Sequence, residues 1–75
     1  MITVKVFGLV RLETGIKELQ IEAENVKELK KALTRSIPEE MAKGCVLLLN
    51  GKPVNRFTKL KDGDQLMLMP PVAGG

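Results

Sequence analysis

One stretch of this 75-residue chain changes period while its neighbours alternate. In "NVKELKKALTRSIP" the apolar residues Val26, Leu29, Leu33 and Ile37 recur at three- and four-residue spacing, the mark of an amphipathic helix. Such a helix has a single apolar stripe and must lay it on something. Asn25 is placed to cap its N-terminus, and Glu28 stands where its carboxylate can reach back to the backbone N–H of the cap. Pro38 limits the other end, because proline disfavours a helical conformation in the residue before it.

The segments on either side read as strands. "MITVKVF" alternates, with Ile2, Val4 and Val6 on one side and Thr3, Lys5 and Phe7 on the other, and Gly8 ends it. "RLETG" is a polar connection, and "IKELQIEA" is a second strand with Leu19, Ile21 and Ala23 on one face. After the helix, "CVLLLNGKPV" reads as a strand, a turn at Asn50-Gly51 and a short strand limited by Pro53. "NRFTKL" is irregular, "KDGD" is a turn and "QLMLM" is the last strand. Asp62 and Asp64 belong to turn chemistry, since neither a histidine nor a third oxygen ligand stands near them in sequence.

This order predicts an α+β domain of the β-grasp, ubiquitin-like class, a mixed sheet packed on one main helix. One helix covers one sheet face and leaves the other free. Leu66 and Leu68 alternate with Met67 and Met69, and Leu47 and Leu49 alternate with Val46 and Leu48, so both faces are apolar. With Leu47, Leu49, Leu66 and Leu68 toward the helix, the opposite face presents Phe7, Leu48, Met67 and Met69 as an exposed apolar patch suited to a partner.

Composition removes several classes of function. The chain has one cysteine and no histidine, which excludes an internal disulfide, the usual zinc ligand sets and any dyad or triad with an imidazole base. Cys45 falls in a strand and reads as a small buried hydrophobe. No apolar run approaches the length of a membrane span, and the start of the chain lacks the pattern of a signal peptide, so a cytoplasmic address is expected. The net charge of +3 raises nucleic acid as a partner. Against it, Lys27, Lys30, Lys31 and Arg35 are interleaved with or close to Glu24, Glu28, Glu39 and Glu40, and Phe7 and Phe57 are the only aromatics available for stacking. The run from Lys43 to Lys61 contains five basic residues and no acidic one, which suits an acidic protein partner.

The last residues, "MPPVAGG", look built. Residues 1–69 form the expected domain and 70–75 an extended tail. Pro70 and Pro71 fix φ and remove two donors, so the tail leaves the last strand stiff and extended. Six residues from Pro70 reach roughly 20 Å when extended. Val72 and Ala73 lead into Gly74 and Gly75, and a Gly-Gly end can enter a channel where a Cβ would collide.

"FGLVR" after the first strand, "LNGKPV" at the hairpin and "LKDGDQLMLMPPVAGG" at the end, in this element order, resemble the MoaD/ThiS family of ubiquitin-like sulfur carriers, and most of all the small subunits of molybdopterin synthase. The resemblance implies that a separate adenylating enzyme, using ATP and magnesium, joins AMP to the Gly75 carboxylate. A sulfur donor then displaces AMP and leaves a thiocarboxylate. The chain itself would be a non-catalytic, sulfur-donating subunit with no permanently bound cofactor, and in the molybdopterin pathway its tail would enter a large synthase subunit. Family members of that kind often have an aromatic residue before the two prolines, where this chain has Met69. Three alternatives stand beside this reading: a ubiquitin-like modifier joined through Gly75 to lysines of target proteins, the sulfur carrier of the thiamine pathway, and a plain protein- or RNA-binding β-grasp module.

Overall fold

The protein is described by a computed structural model covering residues 1–69, apart from the side chain of Lys43; the expected tail, 70–75, lies outside the described residues. Five strands form one sheet: β1 (Ile2–Val6), β2 (Glu18–Ile21), β3 (Val46–Leu49), β4 (Lys52–Pro53) and β5 (Gln65–Met69). Their order is β2-β1-β5-β3-β4. The central pair β1 and β5 is parallel and the other pairings are antiparallel. A parallel pair needs a crossover, and α2 (Val26–Leu33) lies within it. This is the expected mixed sheet with one main helix.

Asn25 caps α2 as its sequence position predicts, its side chain accepting from the Glu28 N–H at 2.9 Å. The return bond differs. Asn25 is extended and forms an antiparallel bridge with Lys59, and the Glu28 carboxylate accepts from the Glu24 N–H, one residue earlier than the cap. The helix also stops at Leu33, well before Pro38. Thr34 donates its hydroxyl to the Lys31 carbonyl at 2.6 Å, a local bond that competes with continuing the helix. Ile37 is nevertheless buried, held by its N–H donating to the Leu33 carbonyl at 2.8 Å. Pro38 therefore opens the next helix rather than closing α2: its carbonyl accepts from Met41 and Ala42 at the start of α3 (Glu39–Lys43).

The second departure is between the first two strands. The expected polar connection is mostly a seven-residue helix, α1 (Gly8–Thr14), anchored by buried Val10 and closed by Gly15, whose N–H donates to the Arg11 carbonyl. Gly8 has φ 67°, a left-handed conformation costly to a residue with a Cβ, and it lets the chain leave β1 directly into α1. At the β3–β4 hairpin, Asn50 and Gly51 both have positive φ, 54° and 80°, as a type I′ turn requires.

The core lies between the sheet and α2. Ile2, Val4 and Val6 of β1 and Leu66 and Leu68 of β5 meet Val26, Leu29 and Leu33, all fully or almost fully buried. Leu47 joins them, and half-buried Leu49 packs at the margin. On β2, Leu19 and Ile21 are half-buried against the same core, as alternation predicts. No buried polar side-chain atom among the described residues lacks a hydrogen-bond partner. Among the described residues no helix is long and apolar enough to cross a membrane.

Candidate functional site: the rim where the last strand ends

The parallel pairing of β1 with β5 decides where the chain leaves the sheet. Val6 stands opposite Leu68, and the Phe7 N–H donates to the Leu68 carbonyl at 3.1 Å, so β5 runs out beside the point where β1 turns into α1. On its other side Met69 is opposite Val46, the first residue of β3. The chain beyond Met69 therefore starts at a rim made by the end of β1, the start of α1 and the start of β3.

The face carried by this rim follows from the register. Met67 is opposite Leu48 on β3 and Lys5 on β1. One step toward the rim, Met69 is opposite Val46, and Phe7 continues β1 in the same row. The residues singled out by sequence parity, Phe7, Leu48, Met67 and Met69, thus share the face away from α2. All four are half-buried rather than fully exposed, because neighbouring strands shield each side chain laterally. Lys5 is exposed and gives the apolar face a charged margin.

Three further apolar residues at the rim were not singled out from the sequence. Val46 is 40% exposed and lies on the same face as Leu48, a position that its parity within "VLLL" already contains. Leu9 and Leu12 are 59% and 80% exposed on α1. Their signal was hidden because a helix of under two turns with one buried residue has no readable stripe. A cavity of about 210 Å³, lined by Leu9, Val10, Met41 and Cys45 among others, separates α1 from α3.

Cys45 stands beside this cavity. It is half-buried rather than wholly buried, and its thiol donates to the Met41 carbonyl at 3.0 Å. Burial pushes the thiol pKa up, so the neutral form is favoured and the group is a poor nucleophile at neutral pH. Asp64 is occupied in the turn before β5, its carboxylate accepting from the Lys61 N–H at 2.8 Å. Among the described residues no group of three or more histidine, cysteine or acidic side chains is placed to hold a metal ion. Pro70, Pro71, Val72, Ala73, Gly74 and Gly75 lie outside the described residues.

Comparison with known proteins agrees with this architecture. Residues 4–75 match the ThiS family model. Among solved structures, one described as the complex of subunits 1 and 2 of molybdopterin-converting factor from Helicobacter pylori has a chain 34% identical, with 99% of this chain and 97% of that one covered and a TM-score of 0.73. Small archaeal modifier protein 1 from Methanosarcina acetivorans is 26% identical over 99% of this chain and 95% of its own, with a TM-score of 0.81. A Pyrococcus furiosus protein described as molybdopterin converting factor, subunit 1, is 27% identical over 95% and 97% respectively, with a TM-score of 0.78. No curated protein matches the chain. With the β-grasp topology, a family match over nearly its whole length and relatives of this kind, the chain belongs to the ThiS/MoaD-like family of ubiquitin-fold sulfur carriers and modifiers.

Proposed function

We propose that this protein carries sulfur as a thiocarboxylate on Gly75 and delivers it in molybdopterin synthesis as the small, non-catalytic subunit of the synthase. The observation that carries the reading is the place where β5 ends. The strand leading to "PPVAGG" runs out at the rim of an apolar face, between Phe7 and Val46, so a partner docked on that face receives the tail at its own surface. The family match extends through Gly75, and the Helicobacter pylori relative is described in complex with a second subunit.

The chemistry rests on the terminal carboxylate. A carboxylate is a poor electrophile, and adenylation by a partner enzyme that uses ATP with magnesium joins a carboxylate oxygen to the α-phosphorus as pyrophosphate leaves, giving a mixed anhydride from which AMP can depart. Sulfide-level sulfur from the sulfur donor attacks the acyl carbon as hydrosulfide, the acyl–oxygen bond to AMP breaks, AMP departs, and the thiocarboxylate remains with no change of oxidation state. Gly74 and Gly75 allow close approach of the partner's catalytic groups, Ala73 adds only a methyl, and Pro70 and Pro71 reduce the ordering cost of inserting the segment from Val72 to Gly75. On this reading the protein works in the cytoplasm.

The similarity to small archaeal modifier protein 1 favours a second reading, in which the same activated Gly75 is joined to lysines of target proteins. Activation is common to both readings. Deleting Gly75 is expected to abolish ATP-dependent formation of the acyl-adenylate by the partner adenylating enzyme, read as pyrophosphate exchange, while leaving the unfolding midpoint unchanged. Undiminished exchange by the deletion variant would rule out both.

A further inference from the structure

A second surface, on the turn after β4, has the features of a docking site. Phe57 is 73% exposed, yet it stands on an ordered turn. The Asn55 side chain accepts from the Phe57 N–H at 2.8 Å, the Thr58 hydroxyl accepts from the Asn55 N–H at 3.1 Å, and the Thr58 N–H donates to the Asn55 carbonyl at 3.1 Å. The turn is then tied to the start of α2, where Val26 and Lys27 donate their N–H groups to the carbonyls of Thr58 and Arg56 at 3.1 and 3.2 Å. An exposed phenyl on a turn with this many backbone ties is presented in one place, which lowers the ordering cost of binding it.

Basic side chains flank the ring. The Arg56 guanidinium lies 4.9 Å from the ring centroid, and the same backbone ties bring the exposed Lys27 and Lys59 to this turn. The positive end of α2 adds to their potential. Glu24 and Glu28 stand beside Lys27 and Lys59 at the same start of α2, and with Glu22 and Asp62 they line a cleft next to Met1 and Leu60.

We propose that the 55–59 turn is a docking surface for an acidic protein segment, with Phe57 seating an apolar side chain and Arg56, Lys27 and Lys59 receiving carboxylates. A protein segment fits better than a nucleic acid because Phe57 is the lone ring of the turn and Arg56 covers one of its faces, leaving no continued platform for stacked bases. The turn joins the β4 edge of the sheet, where the Val54 N–H donates to the Leu47 carbonyl, to the start of α2. Residues 58–60 bond to residues 24–26, which come after the strand end paired with Ile2 at the start of β1, whereas Met69 leaves beside the end of β1. The proposal does not depend on the chemistry assigned to Gly75.

The test is a titration of the 15N-labelled full chain with a short peptide of aspartate, glutamate and leucine, and in parallel with its Asn/Gln counterpart and with an oligouridylate. The acidic peptide is expected to shift the amides of residues 55–59 and Lys27, with affinity falling as salt rises. Phe57→Ala and Arg56→Glu are each expected to raise Kd roughly tenfold or more while leaving the rest of the spectrum in place. Absence of shifts in this turn, shifts confined to the face of Met67 and Leu48, equal binding of the uncharged peptide, or tighter binding of the oligouridylate at these residues would each overturn the proposal.

Discussion

At the scale of single residues, backbone conformation and capping carry effects that can be separated from packing. Gly51 has φ 80° with open space where a Cβ would stand, so Gly51→Ala meets no neighbour and its cost is the left-handed conformation alone. We expect a loss of about 1 kcal/mol in urea unfolding, with an unchanged m-value. Asn25→Ala removes the acceptor for the Glu28 N–H and should cost about 1 kcal/mol by the same measurement, whereas Asn25→Ser should recover most of it. The cap was legible in the sequence because it needs only Asn25 and a helix start. The partner of the Glu28 carboxylate was not, because it depends on the distant pairing of residues 24–26 with 58–60, which keeps the chain extended up to the cap.

At the scale of elements, the sheet faces provide the sharpest contrast. Leu66 and Met67 are adjacent in β5, yet Leu66 is fully buried under α2 and Met67 is half-buried on the opposite face. Leu66→Asp places a charge in the core and should abolish cooperative folding. Met67→Asp or Leu48→Asp should retain a cooperative transition and weaken binding to the proposed large-subunit partner by roughly tenfold or more, measured by calorimetry. A Met67→Asp variant that fails to fold would show that this face supports the domain rather than a partner. Strands and their faces were legible because "TVKV" alternates and "VLLL" and "QLMLM" are short apolar runs bounded by turns at Asn50-Gly51 and "KDGD", whereas the register came from the structure. The short helices were not. In α1 only Val10 is buried, and α3 spans five residues, so neither is long enough to show a period of 3.6. With α1 hidden, so were Leu9 and Leu12, the most exposed apolar side chains near the tail exit.

At the scale of the whole molecule, a folded body precedes the terminus to which the proposed function assigns the chemistry. The body sets an apolar face beside the end of β5, and the sequence beyond supplies two prolines and two glycines. The parallel β1–β5 pair decides the position: β5 is the middle strand of the sheet, so it ends at the rim with a strand on either side. The element order in the sequence was enough to anticipate the mixed β-grasp sheet on one main helix, while the strand order needed the structure. Which pathway receives the sulfur was not legible, because it is decided by the surface of a partner. The central claim is that Gly75 carries sulfur, and intact-mass spectrometry of the protein from its own cells, beside a Gly75-deleted control, tests it most directly. The expected result is a gain of about 16 Da, the exchange of oxygen for sulfur, which maps to the C-terminal peptide, reacts as a thioacid and is absent from the control; localisation separates it from oxidation of a methionine. An unmodified C-terminal peptide from cells engaged in sulfur transfer, with no species linked through Gly75, would contradict it.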